Sequence, residues 1–208
     1  MATLHELVEE IGCSPEELII GLYAMARAHP EESPFLILNA GCTTAELNVA
    51  EQRVGIKLPS LHRHILSLSN GGSLPYVNSI QYLAAALPRE SEWTWLVEPP
   101  QSHADTFDRS AGLGPFRPVI LGESLTLAGY TSRQAETLRF DDLVIFASGY
   151  DGEFFGYSRS QMDRVDYVAP DPIRSIAGTS FRDFLLRQPI GVQLAAAEFA
   201  NQVRSFLQ

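Results

Sequence analysis

Apolar residues recur at three- and four-residue spacing as far as Leu68. They fall into short runs and alternations between Ile80 and Val168, and return to helical spacing from Phe181 to Phe206. That change of period predicts helices toward both ends of the chain and strands between them. Leu4, Leu7, Val8 and Ile11 form a short stripe that Gly12 can end. Ser14-Pro15-Glu16-Glu17 is a helix start, with a capping serine, proline at the first helical position and glutamate at the third. Leu18, Ile19, Leu22, Met25 and Ala26 then face one way until Pro30. Thr43 and Glu46 repeat the capping-box spacing ahead of Leu47, Ala50 and Val54. Gly55 stands where a left-handed residue closes that helix, with Ile56 as its hydrophobic contact. Pro59 suits the first position of a second helix, striped by Leu61, Ile65 and Leu68, and Asn70-Gly71-Gly72 can end it because asparagine and glycine tolerate positive φ. By physics alone this is a helical hairpin.

Beyond Gly72 the pattern changes. Residues 80–87 form a short apolar stretch broken at Pro88, read as a helix. Trp93 and Trp95 alternate in a strand-like run up to Val97, and the proline-rich stretch 99–118 reads as an irregular loop. Residues 118–122 read as a strand, with a short helix near 132–137. Leu143-Val144-Ile145-Phe146-Ala147 is a buried strand, Gly149-Tyr150-Asp151-Gly152 is turn chemistry, and Glu153-Phe154-Phe155-Gly156-Tyr157 returns. Val165-Asp166-Tyr167-Val168 adds a further strand, so an antiparallel meander is expected. A helix capped by Ser180 or Thr179 runs through Leu186, and Val192, Ala195, Ala196, Phe199, Val203 and Phe206 keep helical spacing.

Composition narrows the class. The chain has 208 residues, 45% hydrophobic and 19% charged, with net charge −10. That acidity argues against a nucleic-acid binder working through a basic face. Seven glutamates in the first 32 residues face only Arg27, so most of the excess belongs to the N-terminal segment and reads as a solvated face. No apolar run reaches the roughly 20 residues that span a bilayer, and the first residues do not resemble a signal peptide. Cys13 and Cys42 make no disulfide framework. A cytoplasmic, reduced protein without membrane association is expected. Lys57 is the only lysine among 15 basic residues, a bias that points to a bacterium with a GC-rich genome.

Candidate chemistry is sparse. His5, His29, His62, His64 and His103 are scattered, and His62 and His64 do not share a helix face. No phosphate-binding glycine loop, nucleophile elbow or metal-ligand spacing occurs, so no catalytic, cofactor or metal residue is expected. Asp141, Asp142, Asp151 and Glu153 bracket the central hairpin and are expected within several ångströms at one sheet end. Three readings are open for them: turn-formers at strand ends, an acidic rim that pairs with a basic partner, or an acid-base or cation site. Trp93 and Trp95, beside Glu90, Glu92 and Glu98, share a face if their run is a strand. They read either as core or as interface anchors.

The order of these pieces resembles the SUKH superfamily of Smi/Knr-type immunity and regulatory proteins. Gly55-Ile56-Lys57-Leu58-Pro59 between two helices resembles the family's G-x-x-L-P turn. Asn70-Gly71-Gly72 resembles its asparagine-glycine-glycine ending. The 143–157 hairpin and the closing helix with Phe181 and Phe184 also match. The resemblance implies an α+β fold, an antiparallel sheet with helices packed against it; extra N-terminal and C-terminal helices are expected from the apolar spacing. The chain departs from the plain family pattern in a helical extension over 1–39 and in a long, proline-rich segment over 88–118; the SUKH-like domain is expected over 40–188, with a C-terminal helix over 189–208 packed on the same domain. The extension either packs on its own core or serves as a dimerisation or partner-docking arm.

In function, the resemblance implies a non-enzymatic protein-binding module without cofactor. The expected role is a bacterial immunity protein that neutralises a polymorphic toxin by stoichiometric binding. Trp93, Trp95, Asp141, Asp142, Asp151 and Glu153 would form its contact surface. Gly55, Leu58, Pro59, Asn70, Gly71, Gly72, Phe181 and Phe184 are the motif's structural residues. The alternatives are a regulatory interaction protein of the cell-wall and signalling type, or a hydrolase using the acidic hairpin residues. A monomer and a dimer are both compatible with the sequence.

Overall fold

A computed structural model describes residues 2–30, 37–77, 79–80, 82–87, 120–122, 140–149, 153–169, 173–192 and 195–207. Six α-helices lie among them: α1 (Leu4–Ile11), α2 (Pro15–Ala28), α3 (Thr44–Val54), α4 (Ser60–Leu68), α5 (Phe181–Leu186) and α6 (Ala196–Ser205). The strands are β1 (Tyr82–Leu83), β2 (Leu143–Ser148), β3 (Phe154–Ser158), β4 (Gln161–Ala169) and β5 (Ile173–Gly178). They form one antiparallel sheet in the order β1-β2-β3-β4-β5. The fold is α+β.

Local chemistry sets the helix ends. Capping boxes open α1 at Thr3 and Glu6, α2 at Ser14 and Glu17, and α3 at Thr43 and Glu46. In each the glutamate carboxylate accepts the cap residue's backbone amide, at 2.7, 2.7 and 2.8 Å. Gly12 and Gly55 close α1 and α3 at φ 74° and 73°, a region that costs side chains with a Cβ. Arginines from elsewhere in the chain satisfy last-turn carbonyls that helix geometry leaves unpaired. Arg204 donates to Glu10 of α1, Arg159 to Val54 of α3 and Arg27 to Leu68 of α4, at 2.9, 2.6 and 2.8 Å.

A hydrophobic core lies between the helices and the sheet. Leu4, Leu7, Leu18, Leu22 and Met25 from the first two helices share it with Ile65, Phe146, Tyr157, Phe184 and Phe199. The N-terminal helices therefore dock on their own chain. Chain ends meet there too: the Leu4 amide donates to Gln188 O at 3.1 Å, and the Ile190 amide to Ala2 O at 2.8 Å. Gly21 marks how closely α2 approaches α6, because a Cβ at that position would lie 2.9 Å from a Val203 methyl.

Several sequence expectations are corrected. Residues 82–87 are not helical. Tyr82 and Leu83 pair with Ser148 and Ala147, and the Ala84 amide donates to Phe146 O at 2.7 Å. A short, uniformly apolar run carries no period that separates a buried strand from a helix. α4 begins at Ser60, with Pro59 as the extended cap residue, and ends at Leu68 before Ser69 rather than at Asn70-Gly71. α6 begins only at Ala196, while Pro189 and Ile190 make isolated β-bridges. β5 is an unexpected strand. Ile120 bridges Ala85 and Leu121-Gly122 is a turn; residues 118–119 of that expected strand, the 99–118 loop and the 132–137 helix lie outside the described residues. No described helix is long and apolar enough to cross a membrane.

Candidate functional site

The first motif is held by one buried carboxylate. Glu51, on the inner side of α3, is 3% exposed. Its Oε1 accepts the Leu58 amide at 2.9 Å and lies 2.7 Å from Arg63 Nη1, while Oε2 lies 2.9 Å from Lys57 Nζ. Burial pushes this carboxyl up, but the hydrogen bonds from Lys57, Arg63 and the Leu58 amide outweigh it and leave the group below its ordinary value. Gly55 turns the chain, Leu58 plugs into the core, and Pro59 steers it into α4. The G-x-x-L-P sequence is thus the outer half of a clamp whose inner half, Glu51, was not singled out from the sequence.

The second motif joins the helices to the sheet. Asn70 is buried; its Oδ1 accepts the Ala86 amide at 2.8 Å and its Nδ2 donates to Leu87 O at 3.1 Å. Gly71 and Gly72 hold φ 73° and 92°. The Gly72 amide donates to Leu83 O at 3.0 Å, and the Gly72 carbonyl oxygen accepts from the Leu83 amide at 2.7 Å. A Cβ on Gly71 would lie 2.8 Å from Leu83 O, and one on Gly72 would strike Ile37 O. These residues are a strap between α4 and β1, which is why glycine is required there.

Phe181 and Phe184 of α5 are buried against the sheet. His62 stacks on Phe181 with centroids 4.7 Å apart, and its Nδ1 shares a hydrogen bond with the Tyr157 hydroxyl at 2.7 Å. Full burial pushes His62 down to about 3, so it is neutral near pH 7. Its Nε2 has no hydrogen-bond partner among the described residues. This histidine is a core residue.

The hairpin acids do not converge. Asp142 immediately precedes β2 and Glu153 immediately precedes β3, so they lie at opposite ends of the same hairpin. The expectation of a single acidic sheet end is therefore corrected. Alternation along a strand fixes side-chain faces but says nothing of which turn a flanking residue occupies. Asp142 accepts from Ser158 Oγ at 2.9 Å, Ser160 N at 3.1 Å and Arg174 Nη2 at 3.1 Å. Burial raises its carboxyl, but these donors more than compensate and hold it below the ordinary range. Arg174 also reaches Asp166 at 2.6 Å, and Asp166 pairs with Arg164 at 2.6 Å. Asp142-Arg174-Asp166-Arg164 is a balanced chain of charge across the sheet face away from the main core. Asp166, 1% exposed, is its centre. The only sequence signal was an acid inside the alternation Val165-Asp166-Tyr167-Val168. Asp141 is exposed and Glu153 half-buried. Trp93, Trp95 and Asp151 lie outside the described residues. Among the described residues no group of three or more His, Cys, Asp or Glu side chains is placed to hold a metal ion.

Residues 41–187 match the family model described as SMI1 / KNR4 family (SUKH-1). The chain belongs to this family. The match runs from just before the α3 capping box to just past α5, so it contains both motif clamps, the meander and the Asp142-Arg174-Asp166-Arg164 chain. α1, α2 and α6 fall outside it. No curated protein and no solved structure matches the chain. SUKH-1 membership fits an immunity or a regulatory protein whose partners are proteins.

Proposed function

We propose that this SUKH-1 chain is a bacterial immunity protein that neutralises a toxin domain in the cytoplasm by stoichiometric binding, without catalysis. The observation that carries the reading is the use made of the buried and half-buried ionisable side chains among the described residues. Glu51 is committed to the α3–α4 clamp, Asp142 and Asp166 to two arginines, and His62 to the Tyr157 and Phe181 contacts. Ionisable groups in an active site face a cleft and a reacting atom; these are held by the protein's own side chains and backbone. Among the described residues, what remains for function is surface.

The exposed Asp141 and the half-buried Glu153 serve as steering charges toward a basic partner, together with Asp151, Trp93 and Trp95 as further contact residues. Asp142, bonded to Ser158, Ser160 and Arg174, is left out of that role. The test is co-expression of the chain with the toxin domain encoded beside it. Growth is expected to be restored by the wild-type chain, and association to be slowed by Asp141→Lys and Glu153→Lys. Growth arrest despite folded, abundant protein would defeat the reading.

A further inference from the structure

Asn70-Gly71 is the one asparagine-glycine step in the chain. Such a step carries its own chemistry. Glycine has no Cβ, so its amide nitrogen is the least hindered nucleophile that can follow an asparagine. In an open chain that nitrogen, deprotonated by hydroxide, attacks Asn70 Cγ. The new N–Cγ bond closes a cyclic imide, the Cγ–Nδ2 bond breaks, and ammonia leaves with a proton taken from water. Water then opens the imide at either carbonyl. Cleavage of the new bond leaves aspartate. Cleavage of the main-chain bond leaves isoaspartate, with the chain running through the side chain. The sum is one water consumed and one ammonia released, with no oxidant, reductant or enzyme.

The fold opposes this reaction at each reacting group. Asn70 is 3% exposed. Its amide donates to Ala40 O at 3.2 Å, and its carbonyl oxygen accepts from Asn39 Nδ2 at 3.0 Å. Its side-chain Oδ1 accepts from the Ala86 and Leu87 amides at 2.8 and 3.4 Å, while Nδ2 donates to Leu87 O at 3.1 Å. Attack requires the side chain to swing toward its own Gly71 nitrogen, and each of these bonds resists that swing. Gly71 has little room to meet it: a Cβ there would lie 2.7 Å from Ala85 N, so its backbone sits against the 83–85 segment. The products fit the strap badly. Aspartate would set a carboxylate oxygen in place of Nδ2, 3.1 Å from Leu87 O with no hydrogen between them. Isoaspartate adds a methylene to the main chain beside Gly72, where even a Cβ would strike Ile37 O. We infer that Asn70-Gly71 is a latent self-modification site: it deamidates only when the strap between α4 and β1 opens, and the modified strap does not close again.

The test incubates the full-length chain at mildly alkaline pH, natively and in urea, and follows aspartate and isoaspartate at position 70 by peptide mass spectrometry. Conversion is expected to be at least about tenfold slower in the native chain, because it proceeds through a local opening that is a minor population. Asn39→Ala removes one restraint and leaves the reacting residues untouched, so it should raise the native rate about tenfold. If that variant fails to fold, wild type in urea below its unfolding transition replaces it. The rate at position 70 is then expected to rise before circular dichroism registers loss of helix. On return to native buffer, unconverted chains should refold and the converted fraction should not, which size-exclusion chromatography separates. Equal rates in native buffer and in urea would overturn the inference. So would a native rate indifferent to Asn39→Ala or, in its place, to urea below the transition. Converted chains that refold and melt like unconverted ones would overturn it too.

Discussion

Glu51 Oε1 accepts the backbone amide of Leu58 at 2.9 Å, across the turn that separates α3 from α4. Seven residues apart in sequence, the two are locked by a carboxylate that Lys57 and Arg63 neutralise from either side. The angle between the helices, and so the position of α4 under the sheet, depends on this contact.

Glu51→Gln is expected to lower stability by about 3 kcal/mol, because removing one partner strands Arg63 and weakens the bond to the Leu58 amide. Chemical denaturation with unchanged m-value would register it. The pH dependence has a definite sign. A carboxyl held below its ordinary value contributes stability above the unfolded value, about 4.3. That contribution is lost as pH falls through the folded value. The mutant should therefore lose less stability than wild type below pH 4.

Wild type should also lose stability at milder acidity, through His62. Its folded value is pushed down to about 3 by burial, while the unfolded side chain takes its proton near 6.5. Between these limits the unfolded chain holds one more proton. Stability should therefore fall by up to about 1.4 kcal/mol per pH unit as pH drops from roughly 6 toward 4. His62→Phe keeps the ring stacked on Phe181 and removes the titration. Thermal melts across that range should show a flattened dependence for the variant.

Asp166→Asn should be among the most damaging changes outside the apolar core. It leaves Arg164 and Arg174 without their shared counter-charge on a face where Asp166 is 1% exposed. A loss of about 3–5 kcal/mol is expected. Because Arg174 belongs to β5, hydrogen exchange in 173–178 should rise before exchange in β2 and β3. Uniform acceleration across the sheet would show that the charge chain does not act on the edge strand in particular.

Which parts of this were legible in the sequence follows from the range of the forces involved. Capping boxes at Ser14 and Thr43, the left-handed Gly55 and the 143–157 hairpin are set within a few residues of themselves, so spacing reveals them. Glu51 and Asp166 take their meaning from residues that meet them only after folding. In sequence Glu51 is one more helix glutamate and Asp166 an odd acid in a strand. Asn70 was legible as a residue that ends something, yet its amide reaches Ala86 and Leu87 at a distance no local rule encodes. β5 carries no sequence signal because a strand with Ile173 and Ile176 in solvent lacks the alternation that burial imposes. The acids flanking the hairpin are close in sequence, whereas the strand length separates Asp142 from Glu153.

Neutralisation by binding is tested most directly by titration of the purified toxin domain with this chain. Toxin activity is expected to fall linearly to zero at one equivalent, with an intact one-to-one complex and full activity recovered after the complex is separated under denaturing conditions and the toxin refolded. Complete inactivation by a small fraction of an equivalent, or a toxin that stays inactive and covalently altered after separation, would contradict the account and make the chain an enzyme.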